Sequence, residues 1–579
     1  MAIPASPTRD ERNLLPSRAG AATTTPSGPP ARSWIAPLAA AMITAVALVR
    51  IVATYPVFSQ SWDEPAHLAT GMEWLDQGRY TREPLHPPLA RVMIALGPYL
   101  AGARSAGHTN TWQEGNALLE WRDAYPRNLA LARLGVLPFF VLGAAVVFLW
   151  ARWLFDDAAA VAAVLLFTTI PPVLGHAGLA TTEMAATAMI AWTLYAFVRW
   201  LREPTRGWSL GLGVTAAAAV LSKFSALLFL PAGGLALYLC HRAQGRDRDV
   251  RGRPDRLRAA RLAYLPMLVL VWAGYRFSVG PLVTAMDVPL EQRPGTHFPA
   301  ERAAYRAAEA AVYPAPEFFQ GLSMLYRKNQ AGQKAYLLGE VRSTGWWYFF
   351  PVALAVKTPL ALGCLLVAFL WALRRDLAPR WERAGPLLAA LLILAVCLPS
   401  RINIGLRHVL PMYPLLAICA GAGAAAVWTS TRRPWLGAAV VVALAGWQVV
   451  SSVRAHPDYV AYFNEIANRH PERVLIDSDL DNGMDLRRLA DTVRALRVPR
   501  LWIAYAGSAD LARHGLPPYR ALPPRTPVKG WIAASLYDIK LGSVDTDTHD
   551  EFAWLERERP VAIVGRSIYL FHLPMAGQR

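Results

Sequence analysis

Asp63 and Glu64 stand side by side at the end of the first long apolar run, and His67 follows one helical turn after Asp63. A carboxylate facing an imidazole is a proton-transfer pair. The same residues also suit helix capping. Ser61 lies three residues before Glu64, the spacing of a capping box, and Pro65 fits a first turn. Both hold together if one acid caps the helix while the other projects into a cleft. The helix would run from Ala66 to Gln77 and close at Gly78. A second cluster, Leu85-His86-Pro87-Pro88-Leu89, sets a rigid extended turn into an interfacial helix from Leu89 to Leu100. His86 could bind a phosphate, a sugar hydroxyl or a metal, or simply pack.

Glu183 opens a later apolar run, after Leu179-Ala180-Thr181-Thr182. An acid there complements a helix dipole. It would also lie at the membrane depth of Asp63, where two acids at a water-filled edge could hold an acceptor hydroxyl, a cation or a substrate amine. Lys223, Lys357, Arg401, Arg407 and His408 lie in or beside apolar runs. A Lys or Arg at mid-membrane costs roughly 2.5–3.5 kcal/mol on insertion scales. Each alone could snorkel to the headgroups. Together they point to an anionic ligand at the bilayer surface, and a lipid-linked phosphate fits.

The elements that must position these groups are membrane spans. The 579 residues are 54% hydrophobic and 17% charged, against roughly 25% charged in ordinary soluble domains. Apolar runs at 34–58, 129–153, 158–175, 183–200, 208–222, 224–241, 262–280, 346–373, 386–400, 408–428 and 435–453 predict an α-helical polytopic membrane protein of about eleven spans. The first is an uncleaved signal anchor, too long for a signal-peptide core. Arg50 within it snorkels, faces the bundle or meets a phosphate. Residues 1–33 read as a disordered cytoplasmic tail, and 34–453 as the transmembrane domain. Arginines cluster in short links (Arg199 to Arg206, Arg242 to Arg261, Arg374 to Arg383, Arg432-Arg433), the positive-inside pattern. With the N-terminus inside, loops 59–128 and 281–345 lie outside, as does the chain after Arg454. Ser222-Lys223 forms the outer turn of a short helical pair. Residues 454–579 alternate strand-like runs (Val474 to Ile476, Leu501 to Ala504, Val561 to Val564) with a helical stretch from Asp485 to Leu496, which predicts a small extracytoplasmic α/β domain.

The net charge of +18 does not mark a nucleic-acid partner, because the arginines orient spans instead of forming one basic face. All four cysteines (Cys240, Cys364, Cys397, Cys419) lie in or beside apolar runs, so neither a disulfide framework nor a Cys-based metal site is expected. There is no internal repeat, no Walker or dinucleotide glycine fingerprint, and no Cys/His run of zinc spacing.

Asp63-Glu64 in the first outer loop, followed by His86-Pro87-Pro88-Leu89, resembles the protein O-mannosyltransferase superfamily, glycosyltransferase family 39, with the aminoarabinose transferases of lipid A as relatives. The similarity is best over about 34–240. Gly332 to Leu337 through Lys357-Thr358-Pro359, Arg401 to Pro411, and Asp477-Ser478-Asp479-Leu480-Asp481-Asn482-Gly483-Met484-Asp485-Leu486 resemble a bacterial branch of it. Asn482 and Met484 depart from the Trp and Gln expected there. The resemblance implies a GT-C fold with two interfacial helices in the first outer loop. It implies an integral-membrane glycosyltransferase of the bacterial inner membrane, taking a sugar from a polyprenyl-phosphate donor to a lipid, glycan or protein acceptor on the outer face. Asp63 would contact and deprotonate the acceptor, with Glu64 and His86 in support and Glu183 as second acid. Lys223, Arg401, Arg407 and His408, and more weakly Lys357, would hold the donor phosphate. No cofactor is implied, though a divalent cation could bridge an acid and the phosphate. The rival functions are a transporter or flippase for a lipid-linked saccharide, and a non-catalytic scaffold. Transporters often show duplicated halves, and none is seen.

Overall fold

In the computed structural model, which describes residues 34–244, 253–281, 299–300, 303, 311–375, 381–430, 433–544 and 548–574, the apolar runs form a helical bundle. The expected tail 1–33 and much of the expected outer loop 281–345 lie outside the described residues. Helix α1 (Ile35–Val52) turns Ala36, Ala40, Thr44, Ala47 and Ile51 toward the bundle. Small residues at that spacing let backbones approach closely, while Leu38, Met42, Val46 and Val49 face outward.

Residues 59–128, the expected first outer loop, carry three short helices, α2 (Glu64–Met72), α3 (Pro88–Leu100) and α4 (Thr111–Leu119). A π-helical turn, Glu73–Gln77, continues α2 to Gly78, which ends it at φ 70°. Helix α2 is pressed between its neighbours. A Cβ on Gly71 would lie 1.9 Å from the Arg91 carbonyl oxygen, and one on Gly115 would lie 2.2 Å from that of Pro65.

The body continues through α5 (Tyr125–Leu134), α6 (Leu137–Leu154), α7 (Asp157–Thr168), α8 (Pro171–Ala177), α9 (Glu183–Arg202), α10 (Arg206–Ser222), α11 (Ala226–Ala243) and α12 (Arg253–Gly274). After α13 (Pro316–Ala331) come α14 (Phe349–Lys357), α15 (Leu360–Arg375), α16 (Trp381–Cys397), α17 (Met412–Ser430) and α18 (Pro434–Arg454). Every expected apolar run is largely helical. Six of the described helices are long and apolar enough to cross a bilayer, or up to eight if each bent pair is one span. Helices α10 and α16 have 17 residues each, and α12 opens on arginines. Two expected spans are broken: α7 meets α8 at 66° and α14 meets α15 at 105°. Pro171-Pro172 and Pro359 stand at these breaks, where a missing N–H cannot continue the helical ladder. Helix α17 is buried from Met412 to Ala424, packed against α7 and α15.

Strands β1 (Val279–Pro281) and β2 (Val312–Pro314) pair antiparallel, as do β3 (Ala335–Leu337) and β4 (Glu340–Arg342). The C-terminal region carries the one-turn helix α19 (Asp477–Leu480), then α20 (Leu486–Ala495) with Leu486, Leu489, Ala490 and Val493 on its buried face. Strands β5 (Leu501–Ala504), β6 (Tyr519–Ala521), β7 (Gly530–Ser535), β8 (Ala562–Val564) and β9 (Ile568–Leu573) form a sheet in the order β6-β5-β7-β9-β8. Pairing is parallel on both sides of β5 and antiparallel on both sides of β9. Helix α21 (Leu536–Leu541) follows β7. The strand expected at Val474 to Ile476 does not form. Leu475 and Ile476 are buried in the core shared with the helical body, and Asp477, at φ 37°, turns the chain away.

Candidate active site

Asp63 and Glu64 have different surroundings. Glu64 is 1% exposed and receives two bonds from Arg133, at 2.8 and 3.0 Å, plus the backbone N–H groups of Ala180 and Ser61, at 2.8 and 2.6 Å. The Ser61 bond is one half of a capping box. Burial alone would raise this carboxyl, but Arg133 and the two N–H donors hold it below its ordinary range. Asp63 sits at the helix N-cap position and makes no capping bond. Its carboxylate pairs with Arg407 instead. Burial pushes it up, but Arg407 and His67 together keep it below the usual carboxylate range.

Asp63 opens onto a cavity of about 350 Å³, lined by the 59–128 segment, α9, the α10–α11 turn, α13, the 402–408 segment and the C-terminal region. Glu183 and Lys223 face each other across it at 3.1 Å. His67 and His86 line it with their rings 5.3 Å apart, edge to face. Arg91 donates to His67 Nδ1 at 3.1 Å and pairs with Glu83. Burial, then Arg91, pushes His67 down to about 4 and His86 well below its ordinary value. Both imidazoles are therefore neutral at pH 7, and one nitrogen of His67 is occupied. Among the buried polar atoms without a partner in the described residues, four belong to residues at this cavity: Glu183 Oε2, Arg407 Nε, His408 Nε2 and Gln333 Oε1. All four residues line this cavity. Buried polar groups are rarely left unbonded, and these four, beside the Asp63 carboxylate, are free to meet a ligand in the cavity.

The cavity thus collects Asp63, His67, His86, Glu183, Lys223, Arg407 and His408. Glu64 stands behind it. Lys357 and Arg401 do not line it. The buried Lys357 ammonium donates to the carbonyls of Val460 and Asp479, at 2.7 and 2.6 Å, and lies 4.3 Å from the Phe463 ring centroid. Arg401 is exposed and donates to the Gln330 carbonyl at 3.1 Å. Arg50 donates to Ser452. Among the described residues, no group of three or more His, Cys, Asp or Glu could hold a metal ion.

Sequence reasoning missed Arg91 and Arg133, whose signal was a guanidinium in an apolar helix needing an acid. It also undervalued Asp477 to Met484. That segment grips both halves of the Asp63–Arg407 pair. The Trp62 N–H donates to the Asn482 carbonyl at 3.1 Å, and the Ser59 N–H to that of Met484 at 3.0 Å. On the other side, both oxygens of Asp479 accept from the Leu406 N–H at 3.1 Å, and the Ser478 hydroxyl donates to the Ile404 carbonyl. Gly405 permits this approach: its φ is 134°, and a Cβ there would lie 2.6 Å from Ser478 Oγ. Lys357 anchors the segment from beneath.

The helical body, with short helices ahead of a polar cavity, has the GT-C fold. Residues 41–282 match the family model described as dolichyl-phosphate-mannose-protein mannosyltransferase. The fold is shared with the Saccharomyces cerevisiae protein O-mannosyltransferase Pmt1-Pmt2 complex bound to the sugar donor, at 12% identity and TM-score 0.50, over 74% of this chain and 90% of that one. ArnT from Cupriavidus metallidurans bound to undecaprenyl phosphate is similar at 16% identity and TM-score 0.48, over 93% and 99%. The Archaeoglobus fulgidus oligosaccharyltransferase tethered with an acceptor peptide is similar at 13% identity and TM-score 0.46, over 80% and 57%. No curated protein sequence matches the chain.

Proposed function

We propose that the protein transfers a sugar from a polyprenyl-phosphate donor to a lipid, glycan or protein acceptor on the outer face of a bacterial inner membrane. Its N-terminus is cytoplasmic and its C-terminal domain extracytoplasmic. The observation that carries this is the meeting of a cavity-facing carboxylate, Asp63, with cations that retain unbonded donors, in a space at the edge of the helical body. The acceptor oxygen or nitrogen bonds to the anomeric carbon with inversion as the carbon–oxygen bond to phosphate breaks. The phosphate keeps the electron pair, and the acceptor proton passes to Asp63. Arg407, Lys223 and His408 stabilise the leaving phosphate. Arg407 couples the two events. In the resting site it lowers the basicity of Asp63; a phosphate that takes a share of this guanidinium makes Asp63 a better base. Glu183 serves as the second acid beside the acceptor, and Glu64 holds the helix on which Asp63 rides.

Proteoliposomes containing the purified protein and an undecaprenyl-phosphate sugar test this proposal. The expected result is consumption of the donor with release of undecaprenyl phosphate when acceptor is present. Movement of intact donor across the bilayer without consumption would instead identify a flippase. Reporter fusions at Gly252 and Gln578 check orientation: opposite compartments support it, and one shared compartment contradicts it.

A further inference from the structure

The wall that the C-terminal domain adds to the cavity has a feature that the transfer step does not use. Asn482 is only 9% exposed and lines the cavity, yet its side-chain amide makes no hydrogen bond among the described residues. A side-chain amide offers two donors and an acceptor, and this one is left to meet a ligand in the cavity. Asp477 lines the same wall; one of its oxygens accepts from the Ser478 N–H at 2.6 Å. Two indoles complete the surroundings. Trp62 is tied to Asn482 through its backbone N–H, at 3.1 Å, and the Trp112 indole N–H donates to the Trp62 carbonyl at 3.1 Å. Both rings line the cavity, with centroids 6.5 Å apart. An indole face is negative and suits the C–H face of a sugar ring, while an amide and a carboxyl beside it suit that ring's hydroxyls.

We infer that Asn482, Asp477 and Trp62 form a subsite for a neutral, polyhydroxylated sugar ring, through which the C-terminal domain selects the sugar. This rests on the glycosyl-transfer function proposed above. The ring is that of the donor or that of a glycan acceptor; the recognition chemistry is the same. A site built to bond a hydroxyl rejects rings that lack it or carry it elsewhere.

The test uses the full-length protein in nanodiscs with three probes: undecaprenyl phosphate, the same lipid bearing hexoses or pentoses, and a set of methyl glycosides followed by saturation-transfer NMR. Asn482→Leu keeps the volume and removes the amide. If the subsite holds the donor sugar, this variant loses about 10- to 100-fold in affinity for the preferred sugar-bearing lipid and stays within about twofold for undecaprenyl phosphate. If it holds an acceptor sugar, the lipid affinities stay and the preferred methyl glycoside weakens by about tenfold. Either result supports the subsite. Equal losses on all three probes, or no loss on any, overturn it. Should Asn482→Leu melt below the working temperature, Asn482→Asp replaces it, with a changed rank order of sugars expected and an unchanged order overturning the subsite. If the wild type binds neither lipid but binds a methyl glycoside that Asn482→Leu loses, the donor reading falls and the subsite stands.

Discussion

Asp63 and Glu64 are adjacent in the chain and belong to opposite regions of the molecule. Behind the cavity, Glu64 and Arg133 are each 1% exposed at the side chain, and both Glu64 oxygens accept two bonds each. At the cavity, Asp63 and Arg407 are 28% and 12% exposed, and Arg407 still has an unbonded Nε. Both are carboxylate–guanidinium pairs, and only surroundings separate them. The saturated pair can do nothing but hold the helix. The unsaturated one can exchange partners, which a catalytic carboxylate must do.

The largest effect that would sharpen this contrast is on stability. Glu64→Gln leaves Arg133 buried without its counter-charge, which costs about 3–5 kcal/mol in buried pairs. The melting temperature of the purified protein should fall accordingly, and a fall no larger than that of a surface variant would remove the distinction. Next comes the donor. Arg407→Gln should weaken undecaprenyl-phosphate binding by about 10- to 150-fold, as loss of a charge-assisted bond of roughly 1.5–3 kcal/mol requires, with the melting temperature little changed. Undiminished affinity would move the phosphate elsewhere in the cavity, with Lys223 the first alternative.

A smaller effect follows from pH. Burial pushes Asp477 and Asp481 up to about 7 against their ordinary values near 3.8. Arg407 opposes the rise at Asp477, while Asp479 and Asp63 add to it; at Asp481, N–H bonds from Tyr537 and Gly483 oppose it, and Asp485 adds to it. Raised values mean that the resting site binds protons between pH 4 and 7 that the free acids would not. Above pH 7 both acids become negative and repel an incoming phosphate. Donor affinity should therefore fall about 3- to 10-fold from pH 6 to pH 8, since a donor phosphodiester does not titrate in that range. Asp477→Asn should flatten the slope, and an affinity that rises with pH would contradict it.

Much of this was legible in the sequence because it is local. Hydropathy marks the helices of the apolar runs, though not α4 or α13, Pro65 and Gly78 bracket the helix that carries Asp63, and Asp63, Glu183, Lys223, Arg407 and His408 stood out as charges beside apolar runs. What could not be read is which partner each charge chose. Lys357 resembles a donor ligand by position, and only the folded chain brings Asp479 and Val460 to it from more than a hundred residues away. Asp63 and Glu64 have the same local signals, and their fates are set by Arg407 and Arg133, at sequence separations of 344 and 69. Asp477 to Met484 stood out as an acidic run, but its meeting with Trp62 and Leu406 is tertiary and leaves no periodic trace.

The most direct measurement is the turnover and melting temperature of Asp63→Asn on one purified preparation. Asn matches Asp as a helix cap, so a capping role predicts near-normal values for both. With Asp63 as the base, turnover should fall roughly 100- to 10,000-fold, while the melting temperature moves far less than it does in Glu64→Gln. Near-normal turnover, or a stability loss equal to that of Glu64→Gln, would contradict the division of labour between the two acids.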